Sequence, residues 1–313
     1  MSQTSHLILQ TDKNFSQKMI ELKLPEIKSL PRGDLPVKML NNIRKPKPIP
    51  DAWQSIIMII LILAVQLFLS LTAELFLSYL AVDFVLTDFV ISALGNAIVI
   101  WLLLQKISSP RVAGLFQPKL QRAAPYLGTL LLFAGFLMLQ ALVNSHLWSL
   151  FQQSFTDYLE VFSPLMEHNI FISFLFMVII FPLLEEIIYR GIILEGLLLN
   201  HGRNFALLFS ALIFGLIHMI IIQIIPAFFS GLLLGWLYLK YRSLLLVFFA
   251  HAVNNAASLT SYQLINFTEI PEMEIALQYQ LLLIFGGLIL LGLGYKICRA
   301  DILKQDRHPE KTS

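Results

Sequence analysis

Of the chain's 313 residues, 57% are hydrophobic and 13% charged, about half the charged share of an ordinary soluble domain. A net charge of +2 is too small to suggest a nucleic-acid partner, and a single cysteine, Cys298, rules out an intrachain disulfide or a cysteine metal cage. No C-x-x-C, Walker loop or G-x-G-x-x-G occurs, which argues against redox, ATPase and dinucleotide functions.

Residues 1–51 read as a basic, lysine-rich cytosolic arm without a fixed fold. The arm ends in Arg44-Lys-Pro-Lys-Pro-Ile-Pro50, a stretch whose closely spaced prolines favour an extended, stiff linker. The first apolar run comes too late, and after too many charges, for a cleavable signal peptide. Eight apolar runs then follow, at 56–80, 84–104, 126–147, 170–199, 205–222, 227–239, 244–264 and 277–297. Most are long enough to cross a bilayer. The sixth is the shortest, with Pro226 and Lys240 fixing its ends.

Charges orient these runs. Lys106, Arg111, Lys119, Arg122, Arg203, Lys240, Arg242 and the C-terminal tail are basic, whereas the alternate linkers carry Asp83 and Asp88, Asp157 to Glu167, and Glu269 to Glu274. The positive-inside rule then puts both termini in the cytoplasm. The expected fold is all-α, a multi-pass transmembrane bundle of about eight spans, in the plasma membrane if the source is bacterial. It divides into the arm (1–51), three variable spans with their linkers (52–169), a core (170–264), and a last span with a cytosolic tail (265–313).

Three polar clusters interrupt the core where lipid-facing sequence should be apolar: Glu185-Glu186-x-x-x-Arg190, Phe214-x-x-x-His218 and His251-x-x-x-Asn255. An ionised side chain at mid-bilayer costs about 3 kcal/mol on insertion scales, so such groups need a function. Pro182 cannot donate to the carbonyl of Val178, which should kink or loosen the helix just before the acidic pair. Four residues apart, Glu186 and Arg190 share a face and should pair, whereas Glu185 points elsewhere and stays available to hold a proton or polarise water. His218 falls near mid-depth on the fifth span, with Phe214 one turn earlier. His251, with Asn254 and Asn255 a turn further along the seventh, offers two donors toward one point, as an oxyanion site requires. Together they put an active site between the fourth, fifth and seventh spans.

The order of these clusters resembles the CAAX protease and bacteriocin-processing enzymes, also called the abortive-infection family. Phe229-Ser-Gly-Leu-Leu-Leu-Gly235-Trp-Leu-Tyr238 also looks like that family's connecting helix. The resemblance spans about 170 to 264 and implies an intramembrane glutamate-dependent endopeptidase. Carried over residue by residue, it implies that Glu185 and His218 activate the attacking water. His251 and Asn255 would stabilise the tetrahedral oxyanion, while Glu186, Arg190 and Phe214 shape the site. The implied partners are the lipid bilayer and a membrane-associated peptide or protein substrate, a prenylated CAAX protein in the eukaryotic case. No cofactor is required.

Several alternatives stand beside this reading. A three-ligand zinc site could draw on Glu185, His218 and His251, although no H-E-x-x-H occurs. Ser230 is the one tempting serine nucleophile and lacks the glycine that precedes such a serine. A proton-coupled transporter would also keep intramembrane carboxylates and histidines, but the two halves show no repeat. A non-catalytic scaffold or immunity protein would have to retain costly polar groups for packing alone.

Overall fold

A computed structural model describes residues 50–77, 84–105, 122–151, 169–264 and 275–307, with Gln153 and Ser163 between them. All fall in the second of two compact units, Pro48–Ser313. The basic arm in the first unit and most of the linker charges used for orientation lie outside the described residues.

Eight helices account for the described secondary structure: α1 (Ala52–Leu77), α2 (Phe84–Leu104), α3 (Ala123–Leu150), α4 (Ile170–Asn200), α5 (Arg203–Leu216), α6 (Ile221–Tyr241), α7 (Leu244–Leu264) and α8 (Leu277–Arg307). Seven are long and apolar enough to cross a membrane; α5, with 14 residues, is the short one. This is the helix content of a multi-pass integral membrane protein.

Local chemistry sets several boundaries. Asp51 and Gln54 cap α1 reciprocally, each side-chain oxygen accepting the other's backbone N–H at 2.9 Å. Asn169 starts α4, its side-chain oxygen accepting the N–H of Phe171 at 2.9 Å and of Ile172 at 3.3 Å. Between α1 and α2, Gln66 donates to Asn96 at 3.0 Å and Ser70 to Asp88 at 3.1 Å, the polar contacts that hold helices together where lipid offers no partner.

α3 and α8 meet through glycines. A Cβ added at Gly135 would lie 2.5 Å from the Gly287 carbonyl oxygen, and one at Gly294 would lie 2.6 Å from the Gly128 carbonyl oxygen. Only glycine lets the two backbones approach this closely.

Contacts gather the helix ends. The start of α3 meets the end of α8 through Arg122 and Asp301, 3.2 Å apart. The Tyr241 hydroxyl donates to the Cys298 carbonyl at 3.0 Å, and Arg242 pairs with Glu195 near the end of α4. Pro50 packs where a Cβ of Gly196 would sit, bringing the start of α1 to that same end of the bundle. α5 and α6 run antiparallel, Gly231 facing Phe214 and Ala211 while Gly235 faces Leu207.

Two sequence expectations change here. The fifth and sixth runs do not break at Pro226: α5 stops at Leu216, and α6 runs from Ile221 with Pro226 inside it. Six residues into the helix, Pro226 forfeits only the bond to the Ile222 carbonyl, a loss membrane helices tolerate. His218 consequently lies in the turn beyond α5 and not within a continuous fifth helix.

Candidate active site

α4 carries the acidic pair, and its backbone widens on both sides of it. Phe174–Ile180 and Ile187–Leu194 are π-helical and flank an α-helical Phe181–Glu186. A π turn bonds residue i to i+5, as where the Phe181 N–H donates to the Phe176 carbonyl. One residue on, that register would pair the Met177 carbonyl with the N–H of residue 182, which is proline and has none. Asn255 fills the gap, its Nδ2 donating to the Met177 carbonyl at 2.9 Å. An α-helix would have orphaned Val178; the wide turn moves the free carbonyl back by one residue.

The two glutamates occupy different surroundings. Glu186 is sealed, with 1% of its side chain exposed, whereas 32% of Glu185's is exposed. Glu186 Oε1 accepts from Arg190 Nη1 at 2.8 Å, the intrahelical pair expected from their spacing. The same oxygen lies 2.8 Å from His251 Nδ1. A carboxylate only accepts, so this bond puts the Nδ1 proton of His251 toward Glu186. The other ring nitrogen, Nε2, lies 3.6 Å from Glu185 Oε2. One buried imidazole therefore stands between both carboxylates.

Arg190 is fully buried and held from three directions. Its Nη2 donates to the Gly231 carbonyl at 3.2 Å, and its guanidinium lies 4.5 Å over the Phe214 ring centre. Gly231 matters twice: it lets α6 close on α5, since a Cβ there would be 3.0 Å from the Phe214 ring, and it presents its carbonyl to the arginine. Phe214 is the hub, with its ring edge-on to Tyr189 at 5.0 Å, His218 at 5.2 Å and His251 at 5.6 Å. His218 Nδ1 donates to the Phe214 carbonyl at 2.9 Å. A carbonyl can only accept, so Nε2 is the nitrogen left free to take a proton or bind a ligand.

Glu185, Glu186, Arg190, Phe214 and His251 thus form one connected group. His218 joins it through Phe214, and Asn255 joins it through the backbone of α4. Asn254 donates to Asn255 Oδ1 at 3.3 Å. Sequence reasoning missed the Met177 and Gly231 carbonyls, which are backbone groups; Pro182 was the available signal for the first, given a π register. Ser230, the serine alternative, is buried and donates its hydroxyl to the Ala227 carbonyl at 3.1 Å. Among the described residues, no three His, Cys, Asp or Glu side chains are arranged to hold a metal ion.

A buried arginine–carboxylate–imidazole network inside an apolar bundle, with a second, more accessible carboxylate beside it, is suited to proton transfer and to stabilising developing charge. Residues 167–257, the segment holding every one of these side chains, match the family described as Type II CAAX prenyl endopeptidase Rce1-like, a peptidase family. The match covers 91 of the 313 residues and takes in all three polar clusters. No curated protein and no solved structure matched the chain.

Proposed function

We propose that the protein is an intramembrane glutamate-dependent endopeptidase that hydrolyses a peptide bond close to the membrane. The observation that carries this reading is the pair of carboxylates served by one buried imidazole, His251, at 2.8 Å and 3.6 Å, within the peptidase-family segment.

In this mechanism Glu185, the more accessible carboxylate, takes a proton from water with help from the free Nε2 of His218, and the resulting hydroxide attacks the scissile carbonyl carbon. The oxyanion is met by donors from α7. A protonated Nε2 on His251 supplies one, and the second N–H of the Asn255 amide supplies the other, the first being committed to Met177. Glu186, itself paired with Arg190, accepts from His251 Nδ1 and fixes the orientation of the ring. The proton taken by Glu185 passes to the leaving amine as the tetrahedral intermediate collapses. The substrate is a membrane-associated peptide or protein, with a prenylated CAAX protein as one member of that class. The positive-inside rule makes the gathered basic ends cytoplasmic, and both termini with them.

The test compares membrane proteomes of cells expressing wild type or Glu185→Gln. New protein termini that appear only with the wild type support the reading; identical terminal sets overturn it. Activity should also survive exhaustive chelation, whereas one equivalent of zinc that tracks activity through removal and re-addition would replace the water mechanism by a metal one.

A further inference from the structure

A left-handed, non-glycine residue stands at each end of α6, and the two turns are chemically opposite. Arg242, φ 52°, ends the helix, its N–H donating to the Tyr238 carbonyl and its guanidinium pairing with Glu195. Lys240-Tyr-Arg-Ser243 is the sequence of a turn at a polar boundary. Before the helix, Met219 has φ 61° and is the middle residue of a tight turn closed by the Ile220 N–H on the His218 carbonyl at 2.7 Å. In water that backbone conformation favours glycine, asparagine or aspartate. Here the turn reads Leu216-Ile-His-Met-Ile-Ile-Ile-Gln-Ile-Ile-Pro226, with neither a charge nor a glycine.

Three of its apolar side chains, Leu216, Met219 and Ile221, face outward, while Ile222 is buried. Met219 is 74% exposed and Leu216 52%. A contiguous patch of this kind is unfavourable in water and ordinary in lipid. The backbone also meets the demand of a medium without water, in which N–H groups need internal acceptors. The N–H groups of Ile217, His218, Met219 and Ile220 donate to the carbonyls of Ile213, Gly215, Leu216 and His218.

We infer that the α5–α6 turn lies inside the hydrocarbon layer and not at the opposite membrane face, with the Met219 side chain among lipid acyl chains. α5 and α6 are then a hairpin whose tip sits below the headgroups, carrying His218 on its inner side. This placement holds whether or not the site hydrolyses peptides.

The experiment uses the full chain in phosphatidylcholine vesicles, with Cys298→Ser to remove the native thiol. Met219→Cys is compared with Gly202→Cys and Ala276→Cys, which lie in exposed backbone at opposite ends of the bundle. A membrane-impermeant maleimide, present both inside and outside the vesicles, should label Met219→Cys at least about tenfold more slowly than either control, because an apolar surrounding suppresses the reactive thiolate. A small fluorophore attached there in detergent before reconstitution should be quenched by lipids with a nitroxide on the acyl chain and spared by aqueous iodide. Labelling as fast as the controls, or iodide quenching, overturns the placement. So does protection from both quenchers, which would mean that a second protein copy covers the tip. If Met219→Cys does not fold, Leu216→Cys, on the same outward patch, carries the same test.

Discussion

The α3–α8 seam and the α4–α7 cluster solve opposite problems in the same apolar medium. Along the seam glycines remove side chains so that backbones touch, and Gly135 and Gly287 meet with no charge involved. In the cluster, side chains carry the interaction: Arg190 binds Glu186, Gly231 and the face of Phe214 at once, and His251 spans two carboxylates. Where its glycines meet, the seam packs without polar side chains, the Arg122–Asp301 pair lying toward the helix ends. On the proposed reading the cluster's polar groups serve chemistry, and that contrast can be broken or sharpened by substitution.

The largest effect should come from Glu185→Gln. Loss of a general base lowers turnover by roughly 10²–10⁴-fold, while thermal unfolding in detergent stays at the wild-type temperature, since a neutral amide is easier to bury than a carboxylate. Once a cleaved substrate has been identified, turnover and unfolding measured on the same preparation check both halves.

Glu186→Gln should act on the fold instead. Removing one partner of a buried pair typically costs about 3–5 kcal/mol, and here it strands Arg190 and loosens His251. The yield of folded protein and its unfolding midpoint report this. Should Glu186→Gln fold normally and alone lose activity, the two glutamates have exchanged roles.

Asn255→Ala should separate catalysis from support. Loss of an oxyanion donor lowers turnover on the order of 10²–10³-fold with little change in substrate affinity. It also orphans the Met177 carbonyl, which should cost about 1–3 kcal/mol of stability. Adding Pro182→Ala restores an N–H to residue 182 and should return much of that stability while turnover stays low. Recovery of both, or of neither, would contradict the account of α4.

The smallest of these effects belongs to the seam. Gly135→Ala forces a Cβ against the Gly287 carbonyl and should destabilise the bundle by roughly 1–3 kcal/mol. The kcat of the molecules that remain folded should not change, which an active-site titration would verify.

Much of this was legible in the sequence because the signals were local. The Glu186–Arg190 pair follows from four-residue spacing, and the helix count follows from the apolar runs. The π segments were not legible, since a bond to i+5 leaves no periodic mark in segments of seven and eight residues. Pro226 misled in the opposite direction. It is the strongest breaker in the hairpin, yet the chain turns at Ile217–Ile220, where no glycine or proline marks the place. His251's position between the glutamates, and Asn255's partner on α4, depend on how α7 packs against α4; neither spacing nor composition encodes that directly.

The glycine seam also sets an order on assembly. α3 is synthesised early, and the helix that fits its small-residue face is α8, made only after α4 to α7 have all been threaded into the bilayer. Until then α3 has a groove lined by backbone, open to lipid or to another chain's helix. A ribosome that stalls or terminates before α8 would release a bundle with its motif residues present and its closing helix missing. The helix that seals α3 is thus made only after the whole candidate site, so the bundle closes around motif residues already in place.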